Sequence, residues 1–543
     1  MNESALLSDA DYERFLTDGY VVVQPSAMTA DDHERLFVRA QHLYAQTRAT
    51  KDRLAHLETL GDNLRATVPE VDRIVTDPAV VGVLTSLLGS DYLLHPHHFV
   101  HRSSDVDQGF HQDGNLPWNE RGHYRSHRPD WAILFYYPQD VSRALGPTEI
   151  VAGSQYWTKD FEDGERWHPG DPMDRSFDRA AMTATDLDYR DRRLAAALDT
   201  LGIPNLDRRF IEVPRGSIVI GNYDLIHRGT RAEPDAPDRF MYKFYFARTR
   251  EPRGATWRNT RAAPALNATR PELRPVVSSI WRWAIGQIGA STAAVDLVAA
   301  RSDLYTGRED ERVAAAYRLG NVASADCVAL LGDALACPEE GVRRAAAYGL
   351  RAAGSAGIET ALSQVDAPLP GVRRMAVFAL GHSATASVPE ALFALTTAVA
   401  TDVDVLVRSN AAYALGQALR AATCSMDTYI GTLIERLEPG QEPDNTEVAL
   451  LPRSTVRQSV AYALVLAAAN DQLSTELFSC LFEVALPDDD RYVEGFVVEA
   501  GLRGQAAGVL SASDTQRLLR HLAGRRFNQR PREVDGAAPL SRP

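Results

Sequence analysis

The chain is poor in cysteine and has no long apolar run, and both absences restrict its class. Its four cysteines all lie in the second half and none forms a CxxC pair, so we expect free, buried thiols in a reducing compartment. No apolar segment approaches the roughly 18 residues that a membrane-spanning helix needs. The polar, acidic first residues do not match a signal or transit peptide. These features predict a cytoplasmic protein.

Basic residues are outnumbered by acidic ones, which gives a net charge of −14. A general nucleic-acid-binding protein normally presents a basic face, so this function class is disfavoured. The length of 543 residues corresponds to about three domains at roughly 150 residues each. We therefore expect a small-molecule substrate, and neither a nucleic acid nor a membrane as partner.

A histidine and a carboxylate two positions apart form the most informative short motif. In His111-Gln112-Asp113 an extended backbone directs His111 and Asp113 to the same side, because the side chains of a strand alternate. Two such ligands need one distant histidine to complete the 2-His-1-carboxylate triad of non-haem Fe(II) oxygenases. A second pair of this kind, His56 and Glu58, lies in a charged segment without alternation and is interpreted as a solvated helix face.

The segments around the motif predict a β-sandwich or barrel in the first half. Helices are expected at 9–17, from about 30, and at 69–88. Short alternating or β-branched runs, separated by glycine and proline turns, predict strands at 20–23, 93–102, 131–137, 149–152, 209–213, 217–221 and 239–246. An acidic insertion at 158–206, with one helix near 187–201, is interpreted as a lid or a substrate wall.

Aromatic and imidazole side chains near the motif are candidates for a substrate pocket. On the strand before it, His97 and His101 face one way and His98 the other. We interpret them as pocket-lining or buried residues and not as metal ligands, because the strand offers no carboxylate. The predicted pocket residues are His97, His98, His101, Trp118, Tyr124 and Trp131. Together with the 158–206 insertion they would form a pocket that suits a polar or ring-bearing metabolite.

Two residues later in the chain, His227 and Arg239, are candidates for the third metal ligand and for the partner of an acidic co-substrate. His227 ends a strand and turn, and Arg239, twelve residues later, opens a strictly alternating strand. A guanidinium group can bind a carboxylate through two parallel hydrogen bonds, which favours Arg239 as the partner of a dicarboxylic co-substrate. Taken singly, His227 fits a turn residue and Arg239 a surface charge. In this order and spacing they predict one site, with His111, Asp113 and His227 as metal ligands.

In these segments the sequence resembles the phytanoyl-CoA dioxygenase family. The resemblance extends over about residues 9 to 250 and rests on the segments 15–23, 111–114, 146–154 and 227–230 together with Arg239. It implies a double-stranded β-helix, the jelly roll of cupin-like proteins, with Fe(II), 2-oxoglutarate and O2, and with succinate and CO2 as co-products. The family's iron ligands fall on His111, Asp113 and His227, and its 2-oxoglutarate arginine falls on Arg239.

The chain departs from the family pattern at two places. The family's common Gly-Ser-His is Gly153-Ser154-Gln155 here, and the polar residues often found before the arginine are replaced by Glu233-Pro234-Asp235. Neither change affects an expected iron ligand, but both affect the transfer of further 2-oxoglutarate contacts. The presence of Asp113, where a halogenase would have a small residue, favours hydroxylation-type chemistry.

The second half carries a different, repeated pattern. A Val-Arg pair followed by small residues and an aromatic recurs about every 30 to 50 residues, with the aromatics at Tyr317, Tyr348, Phe378, Tyr413 and Tyr462. Alanines allow paired helices to approach closely, and each pair buries its face against the next. The pattern resembles HEAT repeats of the short, alanine-rich kind, which implies an all-α solenoid. A weaker copy is expected at 492–502.

These patterns divide the chain into four parts. They are a dioxygenase domain at 1–252, a connector at 253–295, a HEAT-like domain at 296–525 and a disordered tail at 526–543. The connector carries Trp281 and Trp283 on one helix, which we expect to pack the halves together. A solenoid of this kind binds a protein partner or covers a neighbouring domain.

Together the patterns predict an Fe(II)- and 2-oxoglutarate-dependent oxygenase that hydroxylates, or otherwise oxidises, an unactivated C–H bond of a small metabolite such as one of secondary metabolism. Desaturation, epoxidation and ring formation use the same iron site. Two other function classes remain open. One is a HEAT-based interaction protein whose jelly roll binds a ligand without catalysis. The other is a cupin-like enzyme that uses another metal without 2-oxoglutarate.

Overall fold

The computed structural model describes residues 3–50, 64–113, 126–160, 184–267, 269–287, 294–439, 455–486, 488 and 490–524. The first half combines helices with two sheets, and the second half is helical. The helices of the first half and the connector are α1 Asp9–Asp18, α2 Ala30–Thr50, α3 Leu64–Thr67, α4 Asp72–Val75, α5 Pro78–Leu88, α6 Leu187–Asp199 and α7 Arg274–Ala284. None of the described helices has the length and apolarity needed to cross a bilayer.

Two antiparallel sheets form the centre of the first half. The larger has the order β1-β6-β3-β8-β2, and the smaller has the order β5-β4-β7. The strands are β1 Tyr20–Val23, β2 Tyr92–Arg102, β3 Trp131–Tyr136, β4 Thr148–Ala152, β5 Asp207–Phe210, β6 Ile218–Asn222, β7 His227–Gly229 and β8 Phe240–Arg248. The sheets face each other, since the Phe135 and His227 rings lie 5.6 Å apart across the space between them.

Strand β8 shows how the alternating sequence separates the two faces of the larger sheet. On one face Tyr242 donates a hydrogen bond to the Leu36 carbonyl of α2 at 2.7 Å, and Phe240 packs edge-on against Phe37. On the other face Lys243 pairs in register with Phe135 and points toward the smaller sheet. Both faces of β3 and β8 are buried, as expected for β3 from its continuous apolar run.

The single helix expected over 69–88 is broken. Residues Pro69–Val71 form a short 3-10 turn, α4 follows, and α5 begins only at Pro78. Asp77 caps α5 by accepting a hydrogen bond from the Ala79 amide at 2.9 Å. Proline at the first helical position together with this cap starts a new helix, which hydrophobic periodicity alone does not indicate.

The helices of the second half stack in two rows. The inner row consists of α9 Glu309–Val322, α11 Glu340–Ala353, α13 Pro370–Ala379, α15 Val405–Leu419, α17 Thr455–Ala469 and α19 Arg491–Ala506, each packed on the next. The outer row, preceded by α8 Leu297–Thr306, consists of α10 Ala325–Leu335, α12 Ser355–Leu362, α14 Pro389–Thr401, α16 Asp427–Glu435, α18 Thr475–Ala485 and α20 Ala512–Gly524. Small residues permit this stacking: a Cβ on Gly320 would lie 2.2 Å from the Gly349 carbonyl oxygen.

The inner row packs against the first half of the same chain. Tyr317 and Tyr348 contact His127, and Tyr462 lies 5.1 Å from Trp131 between ring centroids. The recurring aromatic residues thus fill an intramolecular interface. The structure therefore does not support the expectation of a protein partner on this row, and it favours the alternative that the repeats cover the neighbouring domain.

The tryptophan helix α7 lies between the halves, as its position in the sequence suggested. Trp281 packs edge-on against Tyr12 of α1 at 5.7 Å. Arg282 donates a hydrogen bond to Asn321 of α9 at 2.7 Å. Contacts on both sides make this connector part of the interface.

The cysteines are free, but only Cys327 is buried, while Cys337 is partly buried and Cys424 and Cys480 are exposed. The expectation of four buried thiols is therefore wrong, because two of the cysteines face solvent from the surface of the array. Several expected features lie outside the described residues: the His56 and Glu58 segment, the 526–543 tail and residues 161–183 of the 158–206 insertion.

Candidate metal centre

The backbone brings His111 and His227 together although 116 positions separate them in the sequence. The two residues exchange both main-chain hydrogen bonds, each of 2.9 Å, and so form an isolated antiparallel bridge beside β7. Residues paired in this way project their side chains to the same face. The imidazole centroids lie 4.5 Å apart.

A local hydrogen bond fixes the orientation of each imidazole. Nδ1 of His111 lies 2.9 Å from the Gly109 carbonyl oxygen, and Nδ1 of His227 lies 2.9 Å from the Leu225 carbonyl oxygen. A carbonyl accepts only, so Nδ1 carries the proton in both rings and Nε2 keeps its lone pair. This is the outer hydrogen bond that orients histidines bound to metals.

Asp113 is the third candidate ligand, through its carboxylate oxygen. Candidate ligand atoms of His111, Asp113 and His227 all lie within 4.8 Å of one another, and His227 Nε2 is 3.8 Å from Asp113 Oδ2. Burial lowers the pKa of His227 to about 3, reinforced by His111, so this imidazole is neutral at physiological pH. Neutral imidazoles and an ionised carboxylate are the states that metal binding requires.

Two polar side chains of β8 hold the Asp113 carboxylate. The Lys243 ammonium lies 3.1 Å from Oδ1 and 3.0 Å from Oδ2, and the Tyr245 hydroxyl lies 3.3 Å from Oδ2. Burial opposes ionisation of Asp113, but Lys243, His227 and His111 together outweigh it and hold the pKa of Asp113 well below its usual range. Sequence reasoning identified neither Lys243 nor Tyr245 as a partner of Asp113. Their alternation on β8 with Arg239 could have indicated both.

Supporting residues between the ligands were also not identified from the sequence. Gln112 donates hydrogen bonds to the Asp224 carbonyl at 2.7 Å and to the Trp157 carbonyl at 3.1 Å, which ties the motif to the loop before His227. Arg228 is fully buried between Glu149 and Asp107, at 2.6 and 2.9 Å. This buried network anchors the backbone next to His227.

Arg239 lies in a small cavity beside the three candidate ligands. The cavity has a volume of about 90 Å³ and is also lined by His111, His227, Lys243 and Thr148. Arg239 is only 4% exposed, and its Nε and Nη1 have no hydrogen-bond partner among the described residues. Burial lowers the pKa of Arg239. A buried guanidinium without a partner is costly unless an anion binds it, so the cavity fits a carboxylate.

The predicted pocket residues do not share one location. His101 lines the cavity of Arg239, and the His97 ring lies 5.5 Å from Tyr245, on the side of Asp113. The prediction that His98 lines the pocket is wrong. Its ring lies 5.9 Å from Phe244 on the helix-covered face of the larger sheet, because alternation along β2 turns it away from the candidate ligands. Trp118 and Tyr124 lie outside the described residues.

The helical half reaches the same side of the sheet as His97. The Tyr492 hydroxyl lies 3.0 Å from His97 Nδ1, and Phe496 packs edge-on against His95 at 5.2 Å. A Cβ on Gly495 would lie 2.4 Å from the Pro96 Cγ atom, so the backbone of α19 touches β2 directly. Trp131, which contacts Tyr462, completes this junction.

Comparison with known proteins finds structural likeness only. No protein-family model matches the chain, and no curated protein matches it. Among solved structures, a nickel complex of the non-heme monooxygenase ThoJ is 17% identical, with a TM-score of 0.29, over 47% of this chain and 85% of that chain. EctD from S. alaskensis with bound Fe is 14% identical, with a TM-score of 0.31, over 46% and 79%.

HygX from Streptomyces hygroscopicus with iron bound is 19% identical, with a TM-score of 0.28, and the match covers 48% of this chain and 93% of that chain. A further EctD structure contains 2-oxoglutarate and 5-hydroxyectoine. These proteins are similar to about half of this chain, and at such identities and TM-scores the likeness does not establish its activity.

Proposed function

We propose that this chain is an Fe(II)- and 2-oxoglutarate-dependent oxygenase acting on a small molecule, with His111, Asp113 and His227 as iron ligands and Arg239 as the partner of the 2-oxoglutarate distal carboxylate. The observation that carries the proposal is the unpartnered, buried guanidinium of Arg239 in one cavity with two oriented imidazoles. Bound iron would supply activation of O2 with 2-oxoglutarate as the electron donor.

The chain's own residues prepare this chemistry. The carbonyls of Gly109 and Leu225 hold the Nδ1 protons, so both Nε2 lone pairs stay directed inward. Lys243 and Tyr245 keep Asp113 ionised and oriented. Two histidines and one carboxylate on one side leave the opposite side open for a chelating co-substrate, which is the arrangement of non-haem Fe(II) oxygenases.

The family and domain assignments belong to the same proposal. We place residues 1–252 in a jelly-roll domain of the phytanoyl-CoA dioxygenase kind and residues 296–525 in a HEAT-like domain, joined by the 253–295 connector. The opposed sheets with the order β1-β6-β3-β8-β2 and β5-β4-β7 support the first assignment. The two rows of stacked helices support the second.

The substrate would approach from the side of Tyr245, His97 and Trp131, where the larger sheet meets the inner row. Side chains of both halves converge there, including Tyr462 and Tyr492. Aromatic rings and imidazoles suit a ring-bearing or polar metabolite. The second half would thus contribute to substrate recognition through contacts with the first, while the metal ligands come from the first half alone.

The test is 2-oxoglutarate turnover by the full chain with added Fe(II), measured as succinate release, together with binding of 2-oxoglutarate in the presence of a redox-inert divalent metal. We expect metal-dependent 2-oxoglutarate binding and succinate release that both disappear in Arg239→Met. Metal-dependent oxidation without succinate would indicate the cupin-like alternative. Absence of both metal and 2-oxoglutarate binding would indicate a module without catalysis.

A further inference from the structure

A second group of buried guanidinium groups lies at the junction of the two halves, away from the candidate metal centre. Arg351 of α11 is 4% exposed and donates one hydrogen bond to the Gly381 carbonyl at 2.9 Å, while its Nε and Nη1 have no partner in the part of the chain that the structure describes. Arg128 of the first half faces the same small cavity. Among the described ion pairs, none includes Arg128 or Arg351.

A neighbouring arginine on the same helix shows how the chain neutralises such a group elsewhere. Arg344 is also buried, but it lies 3.0 Å from Glu309, 3.1 Å from Glu340 and 3.0 Å from Asp160. Arg351, two turns farther along α11, has no comparable set of carboxylates in the described part of the chain. Burying a charge without a counter-charge is strongly unfavourable.

The carboxylates nearest to this group already bind another arginine. Asp130 and Glu251 each lie 2.9 Å from Arg420, and the second oxygen of Asp130 accepts a hydrogen bond from Ser126 at 2.6 Å. Arg248 lies in the same group. It forms no ion pair in the described structure and donates a hydrogen bond to the Leu87 carbonyl. Four guanidinium groups, those of residues 128, 248, 351 and 420, therefore face two carboxylates, which leaves an excess of positive charge.

Aromatic rings reduce this excess without removing it. Arg128 and Arg248 each lie 5.0 Å from the ring of Trp283, and Arg351 lies 4.6 Å from the ring of Phe378. Cation–π contacts of this kind contribute favourably but do not change the net charge. The repulsion of Arg351 and the burial of Arg128 lower the pKa of Arg128, with burial the larger effect.

We propose that a small inorganic anion of the size of chloride binds between Arg128 and Arg351 and links the two halves of the chain. The cavity is lined by Ser126, Arg128, Ser279, Tyr317, Tyr348 and Arg351, so polar side chains surround the two guanidinium groups. Its volume of about 10 Å³ suits a single water-sized or halide-sized occupant and excludes a nucleotide, a sugar acid or a metabolite carboxylate. The site is independent of the proposed iron chemistry.

The charge distinguishes an anion from an ordered water. A water would satisfy the free N–H groups but would leave the positive excess in place. Arg128 belongs to the segment that leads into β3, and Arg351 belongs to the inner row. An anion held by both would therefore stabilise the interface, and its loss would separate the halves more readily.

The proposal can be tested on the full chain by thermal melting in sodium chloride and in sodium gluconate at matched ionic strength, since gluconate is too large for the cavity. We expect a saturable rise of the melting temperature in chloride alone. Arg351→Met should abolish that difference. Arg373→Met is the matched control: Arg373 starts the next inner helix and pairs with Asp402 at 2.8 Å, so this variant should keep the chloride response even if it melts lower.

A crystal grown or soaked in bromide gives the direct test. We expect an anomalous peak between Arg128 and Arg351 in the wild-type protein. Should Arg351→Met not fold, Arg351→Lys, which keeps a charge with fewer donors, should need at least several-fold more chloride for the same rise in melting temperature. Equal responses to chloride and gluconate, or no bromide peak in this cavity, would overturn the proposal and assign the cavity to water.

Discussion

Lys243 and Asp113 form a buried ion pair next to the two candidate histidine ligands, with the ammonium nitrogen 3.0 Å from one carboxylate oxygen and 3.1 Å from the other. A divalent metal bound to Asp113 would lie close to this ammonium group. Lys243 thus plays two opposed roles. It keeps Asp113 ionised in the metal-free protein, and it repels the metal while adding positive charge to the cavity of Arg239.

Replacing Lys243 by methionine should separate these two roles. We expect Lys243→Met to bind a divalent metal about tenfold more tightly, which corresponds to roughly 1.4 kcal/mol, because a competing cation is gone. We also expect weaker 2-oxoglutarate binding, because the cavity loses one of its cations. Equilibrium dialysis with metal, followed by 2-oxoglutarate titration, measures both. Weaker metal binding would show that Lys243 serves mainly to orient Asp113.

The candidate ligands should be tested with variants that leave the Lys243 ammonium group a hydrogen-bond acceptor. His111→Ala and Asp113→Asn are each expected to abolish metal binding and 2-oxoglutarate consumption, because two ligands cannot hold iron in a facial arrangement. Asp113→Ala is a poorer choice, since it leaves the Lys243 ammonium buried and unpaired, a loss of about 3–5 kcal/mol. Circular dichroism and succinate release test fold and activity separately. Near-normal turnover in either variant would refute the assignment.

Arg239→Lys keeps the charge but loses the planar pair of donors. We expect it to raise the apparent KM for 2-oxoglutarate at least tenfold while changing metal affinity little, since Arg239 contacts none of the three candidate ligands in the described contacts. Steady-state kinetics over a range of 2-oxoglutarate concentrations, at saturating Fe(II), measures this. An unchanged KM would transfer the carboxylate-binding role to another cation of the cavity, with Lys243 the first to examine.

Buried neutral histidines should make the metal-free protein sensitive to acid. Burial, with a further contribution from Arg65, lowers the pKa of His98 to about 3. The unfolded chain takes up a proton at His98 below about pH 6.5 and the folded chain does not, so stability falls as the pH decreases from 6.5 toward 3. Between pH 7.5 and 5.5 this residue alone should remove about 1.4 kcal/mol.

His98→Leu should reduce that loss by the same amount without changing metal binding, because His98 lies on the helix-covered face of the larger sheet. Urea unfolding at the two pH values measures the difference. His42→Ala is the matched control, since His42 is exposed on α2. If His98→Leu and the wild-type protein lose equal stability, His98 is not held neutral in the folded state.

Removal of the helical half tests the division of the chain. A protein ending after Gly254 should lose solubility or melting temperature, because Trp131, His95 and His127 lose their covering aromatic residues. Any fraction that stays folded should still bind metal and 2-oxoglutarate, since the candidate ligands all precede Gly254. Removal of residues 525–543 is the control and should change neither property.

Thermal melting with and without metal and 2-oxoglutarate distinguishes the outcomes. A folded truncated protein that shows no ligand-induced shift would place part of the site in the second half. The contact between Tyr492 and His97 is then the first candidate for that part of the site. In that case Tyr492→Phe in the full chain should also abolish the ligand-induced shift.

The sequence by itself determined the local features of this protein. Alternation in His111-Gln112-Asp113 and in β8 is a property of neighbouring residues, and so is the repeated pattern of the inner row, because side-chain direction in a strand or a helix depends only on the local period. The same reasoning had Arg239 open the last strand, and the structure begins that strand one residue later, at Phe240. It could also have separated His98 from His97, since the two faces of β2 were already distinguished.

Only the tertiary structure decided which local features meet. The bridge between His111 and His227, the hold of Lys243 on Asp113 and the unpartnered guanidinium of Arg239 join residues more than a hundred positions apart or depend on what is absent around them. The recurring aromatic residues indicated a helical array but not which surface it packs against. The inner row packs on the first half because many contacts across the whole interface bury its aromatic residues there. No local sequence pattern contains that information.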